Sequence, residues 1–174
     1  RFTAKLILVS LFSAGGESTA SLLGTAVDIL ATNVDLQRQV RDNPDLLGAF
    51  IEETLRLEPP FRAHYRHVLR DTELAGVALA AGSRVLLLWG AANRDPEHID
   101  APNEFRLDRP ETKGHMTFGK GAHFCLGAAL ARLEAATVLP MLLERTTWFD
   151  ALDVGPWLPS VLARRREYLG LAVR

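Results

Sequence analysis

Apolar residues recur at helical spacing through the opening stretch of the chain: Leu6, Ile7, Leu11, Phe12, Leu22, Leu23, Val27 and Leu30 fall mainly three or four positions apart. This spacing predicts one long helix over roughly the first 33 residues. Its middle, Ser13-Ala14-Gly15-Gly16-Glu17-Ser18-Thr19, sets two adjacent glycines, an acid and two hydroxyls inside the helical pattern, at a cost of roughly 2 kcal/mol against alanine for the glycines. A second helix is expected over Asp35 to Arg41. A third begins with Asn43 as N-cap and Pro44 at the first helical position, and runs to Leu57 before Pro59-Pro60 stops it. The pattern then shortens. Tyr65 to Leu69 reads as a strand, and Val77-Leu79 and Val85-Leu88 read as the arms of a hairpin turning at Ala80-Ala81-Gly82. Residues 94–124, rich in Pro, Gly, Asp and His, form a long irregular segment of the kind that usually carries function. A last helix is predicted from Leu126 to Glu144 with Leu126, Leu130, Leu133, Ala136 and Val138 on or near one face, and Pro140 should kink it or end it early. Strand-like pieces follow near 147–154 and 167–173. The fold class is mainly α with small β-sheets, α+β in the loose sense.

At 174 residues and 19.2 kDa the chain is one domain or a large piece of one. Twenty basic against 21 acidic residues leave a net charge of −1, which excludes a nucleic-acid binder working through phosphate neutralisation. The 48% hydrophobic and 24% charged content is that of a soluble globular chain. Its longest strongly apolar stretches, about six residues, fall short of the ~20 that cross a bilayer, and the opening Arg1-Phe2-Thr3 has no signal-peptide pattern. A first residue other than Met points to a chain that continues upstream. A single cysteine excludes an internal disulfide and favours a reducing, cytoplasmic setting.

Chemistry concentrates in four places. In Phe118-Gly119-Lys120-Gly121-Ala122-His123-Phe124-Cys125-Leu126-Gly127, the cysteine stands at the mouth of the last long helix, where backbone N–H groups and the positive helix end stabilise a thiolate. Gly119 and Gly121 let the backbone pass close to a flat ligand, and Phe118 is placed to shield the sulfur. One thiolate in a donor-lined loop suits an axial metal ligand, haem iron above all; taken alone, an isolated cysteine is more often simply a buried core residue. Glu53 and Arg56, three apart, share a helix face and can pair. In Ala14-Gly15-Gly16-Glu17-Ser18-Thr19 the glycines permit a bulge and the acid beside a hydroxyl can relay protons; the competing reading is a polar patch on a surface helix. Arg66 carries a guanidinium suited to a carboxylate partner, or is an exposed strand arginine. His64 and His67 read as surface or pocket-lining residues, and His98 has no chemical company.

The run Phe-Gly-x-Gly-x-His-x-Cys-Leu-Gly, filled by Phe118, Gly119, Gly121, His123, Cys125 and Gly127, closely resembles the haem-binding loop of the cytochrome P450 haem-thiolate monooxygenases. The resemblance implies haem b as cofactor, Cys125 as the proximal ligand of its iron and His123 beside a propionate. Glu53-Thr54-Leu55-Arg56 followed by Pro59-Pro60 resembles the family's Glu-x-x-Arg motif, and Arg109 sits where a second arginine locks that pair onto the segment before the cysteine loop, a structural role. Ala14-Gly15-Gly16-Glu17-Ser18-Thr19 resembles the distal-helix signature Ala-Gly-x-Asp/Glu-Thr-Thr/Ser, where O2 binds over the haem. Ala14 and Gly15 then lie against the cofactor, Glu17 is the acid and Ser18 the alcohol. That alcohol is usually threonine. Serine keeps the hydroxyl but loses the methyl that fixes its rotamer, and Thr19 is adjacent to share the work. Arg66 matches the family's propionate-binding arginine, and His115 the histidine three before Phe118, a propionate-side contact or one to the preceding segment.

By this resemblance residues 1–174 are the C-terminal haem-binding portion of a cytochrome P450 domain, from the distal helix to the C-terminus, of the soluble bacterial kind and without its N-terminal half. The implied activity is O2-dependent hydroxylation of a small apolar organic substrate, with electrons from a ferredoxin or flavin-type donor and protons from Glu17 and Ser18. Alternatives are a peroxide-using haem-thiolate enzyme and a haem-binding fragment without turnover. Leu11, Phe12, Phe61 and Ala63 describe only an apolar substrate wall, and Lys120 and Arg132 offer a basic surface to an acidic partner. The first helix is expected to expose an apolar face, so the chain should associate through it or with a missing N-terminal half.

Overall fold

The apolar periodicity at the start of the chain folds as a single helix, α1 (Phe2–Thr32), in a computed structural model that describes residues 2–110 and 114–174. Asn33 ends it and caps the next, accepting from the Leu36 N–H at 3.0 Å; α2 follows over Val34–Asp42. Asn43 then accepts from the Asp45 N–H, Pro44 opens a short 3-10 turn (Pro44–Leu46), and α3 runs Leu47–Leu57. The strands are β1 (His64–His67), β2 (Thr72–Leu74), β3 (Val77–Leu79) and β4 (Arg84–Leu87), followed by the short helix α4 (Trp89–Ala92). A long, mostly irregular segment with a 3-10 turn at Gly121–His123 leads to α5 (Ala128–Arg145), and β5 (Phe149–Val154) and β6 (Leu169–Val173) close the chain. Residues 111–113, within the irregular stretch expected over 94–124, lie outside the described residues.

The class is the expected one, mainly helical with three antiparallel two-stranded sheets among the described residues. The core lies between the C-terminal half of α1 (Leu22, Ala26, Leu30), α2 (Leu36, Val40), α3 (Phe50, Ile51, Leu55), α5 (Ala135, Leu139) and Phe149 of β5. Gln37, buried, ties three elements together: its amide donates to the carbonyls of Leu30 and Phe149, and its oxygen accepts from the Phe149 N–H. Arg41 donates to the carbonyls of Leu143 and Thr146 and so caps the end of α5.

Several expectations need correction. Val77–Leu79 does not pair with the strand at 84–87. It pairs with Thr72–Leu74 across Ala75-Gly76, while Arg84–Leu87 returns to His64–His67. Ala75 and Gly76 have φ of +50° and +80°, the two left-handed positions of a tight hairpin turn, so the reversal comes there rather than at Ala80-Ala81-Gly82. The last helix begins at Ala128 rather than Leu126, and its buried positions are Ala128, Ala135 and Leu139, whereas Leu126 before it and Leu130, Leu133 and Val138 within it are exposed. Small alanines let α5 approach α1 and α3 closely, and the larger side chains point elsewhere. Pro140 does not end this helix, which continues to Arg145, because Leu142 and Leu143 beyond it pack against the core and hold the last turn. Nor do adjacent glycines break α1, which is continuous from Phe2 to Thr32.

Short apolar runs also understated α1. Folded as one helix, it is long and apolar enough to cross a membrane by length and composition, a test that a core helix passes as well. Its C-terminal half packs against α2, α3, α5 and β5 as a core helix does. Residues 2–17 are exposed, with Leu6, Leu8, Leu11 and Phe12 forming the expected uncovered apolar face.

Candidate active site

One groove collects half of the site residues singled out from sequence. It holds about 280 Å³ between Ala14, Ser18 and Leu22, spaced one helical turn apart on α1, and the loop Thr117-Phe118-Gly119 with His123 and Cys125. Its remaining border includes Phe61, His64, Arg66 and Trp89. The loop is shaped by Gly119 and Gly121, both at φ +71°, which let the chain reverse twice before α5. The Cys125 N–H donates to the Phe118 carbonyl at 2.9 Å, and the Ala128 N–H to the Cys125 carbonyl at 3.3 Å, so the sulfur is presented at the entry of α5. Cys125 is exposed, not shielded by Phe118. A Cβ on Gly127 would lie 3.9 Å from its sulfur.

The distal run divides by helical phase. Ser18 faces the groove, its hydroxyl donating to the Ala14 carbonyl at 2.6 Å. Glu17 lines a separate cavity of about 360 Å³ with Ser21, Arg165 and Arg166, and lies 3.5 Å from the Arg165 guanidinium. Gly15 and Thr19 are outside the groove lining. Arg66 is exposed and donates to its neighbour's carbonyl, that of Tyr65. His64 accepts from the Trp89 indole N–H at Nδ1, 2.7 Å, which leaves Nε2 as the protonated nitrogen; burial first, and then the Arg66 charge, lower its pKa and favour the neutral ring.

Two neighbouring glutamates on α3 anchor this loop from behind. Glu53 accepts from Arg56 on both oxygens at 2.7 Å, from Arg109 Nε at 2.9 Å and from the Arg106 N–H at 3.0 Å. Arg56 also donates to the carbonyls of Asn93, Pro102 and Glu104. Glu53, Arg56 and Arg109 therefore meet in one buried cluster. Glu52 serves a second cluster that sequence reading missed: Arg132 donates to it through Nε at 2.6 Å and Nη2 at 2.8 Å, and His115 Nε2 lies 3.0 Å away. The Thr117 N–H reaches His115 Nδ1, so Nε2 carries the proton that goes to Glu52. Asn93, fully buried, was also missed. It accepts from the Met116 N–H and donates to Thr117 Oγ1, fastening the start of the loop to α3 and α4. Its only sequence signal was a polar residue ending the apolar run Leu86–Ala92. Lys120 remains on the surface, but Arg132 is committed to Glu52 and to the Phe118 ring, 4.5 Å from its guanidinium carbon.

Burial pushes the Glu52 carboxyl up, but the hydrogen bonds from Arg132 and His115 and the Arg132 charge outweigh it and hold its pKa down to about 2. A carboxylate depressed in the folded state stabilises the fold above its unfolded pKa, and that stability is lost as pH falls from about 4.5 towards 2. Urea titrations at pH 5 and pH 3 should show this loss, roughly 2 kcal/mol of it from Glu52, and Glu52→Gln should flatten that part of the profile. An unchanged pH slope in the variant would contradict this assignment.

The donor set fits haem b. One soft sulfur stands in the groove, Arg66, His64 and His123 offer donors for acidic side groups at its border, and Ala14, Leu22 and Phe61 supply apolar walls for a flat ring.

A sequence model described as cytochrome P450 matches residues 4–160. Cytochrome P450 144 of Mycobacterium tuberculosis is 67% identical over 172 residues, which cover 99% of this chain and 40% of that protein. Among solved structures, the substrate-free Mycobacterium marinum cytochrome P450 CYP150A6 superposes with a TM-score of 0.91 at 37% identity, over 94% of this chain and 43% of that one. P450BioI, solved in complex with a fatty-acyl-ligated acyl carrier protein, gives a TM-score of 0.88 at 37% identity over 92% of this chain and 42% of that one. The chain thus spans about 40% of the length of the curated relatives it matches. With the family match running through the distal helix, the Glu53–Arg56 cluster and the cysteine loop alike, the chain belongs to the cytochrome P450 family.

Proposed function

We propose that this chain is the haem-binding C-terminal portion of a haem-thiolate monooxygenase that uses O2 to hydroxylate a small apolar organic substrate. The observation that carries the reading is the exposed Cys125 sulfur at a groove whose opposite wall is Ala14 and Ser18 of α1. Members of this family bind haem b. In this reading Cys125 holds the iron, Arg66 and His123 bind the propionates, and Phe118, Gly119 and Gly127 shape the loop around the sulfur. When bound, haem supplies the redox and O2-activating chemistry, with the thiolate pushing electron density towards O–O cleavage.

The chain's own contribution is placement and proton handling. Ser18 offers a hydroxyl inside the groove; by releasing its bond to the Ala14 carbonyl it can donate to a guest oxygen. Glu17 is half-exposed and one position away, on the solvent side of α1, so it can take up a proton from bulk water. Thr19 adds a second hydroxyl next to Ser18, and Ala14 and Gly15 form the helical turn before them. Ala14, Leu22 and Phe61 give the reacting face apolar walls, and Leu11 and Phe12 extend the apolar surface along α1. Electrons come from a ferredoxin or flavin-type donor, and the setting is cytoplasmic.

The test uses the full-length gene product loaded with haem, reduced and exposed to CO. The red-shifted Soret band of a thiolate-bound ferrous–CO haem is expected. A band at the position given by a histidine-bound or unligated haem overturns the reading.

A further inference from the structure

Glu52, buried, and Arg132, a quarter of whose side chain is exposed, form an ion pair that the proposed chemistry does not use. Glu52 is 4% exposed, and both its oxygens are taken, by the Arg132 fork and by His115. Removing the Glu52 carboxylate from water is costly, and an apolar residue of similar volume often serves stability as well or better. Anchoring the preceding segment does not require this pair, because the neighbouring Glu53 already does so with Arg56 and Arg109. What the second pair adds is a fixed cation against the cysteine loop. The Arg132 guanidinium carbon lies 4.5 Å from the centroid of the Phe118 ring, and the Phe118 carbonyl accepts the Cys125 N–H. His115 packs on the same ring, with centroids 5.8 Å apart. The Arg132 pKa is raised, first by the hydrogen bond to Glu52, with a charge on Cys125 a lesser contribution in the same direction.

We infer that Arg132 is a positioning residue for the proximal loop: clamped by Glu52 and stacked on Phe118, it fixes a positive charge against the loop that presents the Cys125 sulfur and so sets how strongly that sulfur donates to bound iron. This rests on Cys125 being the axial ligand. A fixed cation near the thiolate draws negative charge towards itself, weakens donation to the metal and favours the state carrying one more electron. Without it the iron should be harder to reduce. The geometry also explains the residue type. A planar fork spans both carboxylate oxygens and lies flat on a ring, which an ammonium cannot do, although an ammonium keeps the charge.

The test is the ferric–ferrous midpoint potential of the haem-loaded full-length protein. Arg132→Gln should lower it, changing the ferric-to-ferrous ratio at fixed poise by about tenfold, which is 59 mV for one electron, while the thiolate-type CO spectrum persists. Arg132→Lys, keeping the charge, should stay much closer to the unsubstituted protein. Arg132→Gln leaves Glu52 buried with one partner fewer, so the double variant Glu52→Gln/Arg132→Gln, which strands no charge, is the second measurement. It should move the potential in the same direction by a smaller amount. An unchanged potential in Arg132→Gln, or in the double variant where the single one does not load haem, overturns the inference while the CO spectrum keeps Cys125 as ligand. Absence of the thiolate-type spectrum in the unsubstituted protein would instead remove the reading on which the inference stands.

Discussion

Serine in place of Cys125 is expected to abolish the thiolate-type ferrous–CO Soret band completely, with almost no change in fold stability. The two halves of this expectation have separate causes. A serine hydroxyl stays protonated near neutral pH and is a hard, neutral oxygen, whereas a thiolate is a soft anion. No other cysteine exists in the chain to substitute for it. The side chain is exposed, and the bonds that shape the loop, from the Cys125 N–H to the Phe118 carbonyl and from the Ala128 N–H to the Cys125 carbonyl, belong to the backbone. Serine preserves both, so the change in unfolding free energy should stay within about 0.5 kcal/mol. Urea denaturation of the apoprotein and the CO difference spectrum of the haem-loaded protein measure the two quantities independently. A persisting thiolate-type band would show that the sulfur is not the ligand. A large loss of stability would show instead that the loop depends on the side chain.

How much of this was legible in the sequence follows from how local each signal is. The three N-terminal helices were readable because period and caps lie within a few residues of one another: Asn43 marks a boundary by its bond to the Asp45 N–H, while the Asn33 cap, bonded to Leu36, went unread. The cysteine loop was readable for a different reason, since few residue sets can turn a chain twice, present a sulfur and open a helix. Partners far apart in sequence were not readable. Arg132 and Glu52 are 80 positions apart, and nothing near either residue indicates the other. The β-strand pairing failed because a two-residue turn at Ala75-Gly76 was overlooked, alanine at φ +50° being an uncommon choice there. The buried face of α5 was misread because large apolar residues were assumed to seek the interior, while Leu126, Leu130 and Leu133 are exposed and small alanines make the contact. The same helical phase that brings Ser18 to the groove turns Glu17 towards Arg165. Adjacency in sequence therefore did not mean a shared cavity.

Arg56→Met should destabilise the fold by about 3–5 kcal/mol, the largest thermodynamic effect of any single substitution considered, because the buried cluster is satisfied only as a whole. Arg56 is 3% exposed, and its guanidinium donates to both oxygens of Glu53 and to the carbonyls of Asn93, Pro102 and Glu104. Methionine fills similar volume and supplies no donor. Glu53 keeps Arg109 and the Arg106 N–H but loses its closest bonds, at 2.7 Å, and the carbonyl of Asn93 is left in a dry site. Hydrogen bonds to a charged donor are worth more than neutral ones, and orphaned buried acceptors bear the full desolvation penalty. Arg56→Lys should recover only a minor share, since one ammonium with three protons cannot reach five acceptors spread over a plane. Glu53→Gln/Arg56→Met should cost less than the sum of its single changes, because the second substitution removes the charge that the first one strands. Urea unfolding of all four variants, with Glu53→Gln completing the cycle, gives the coupling directly. If Arg56→Met costs under about 1 kcal/mol, or if the cycle is additive, these residues are not one unit, and the segment before the cysteine loop is held by something else.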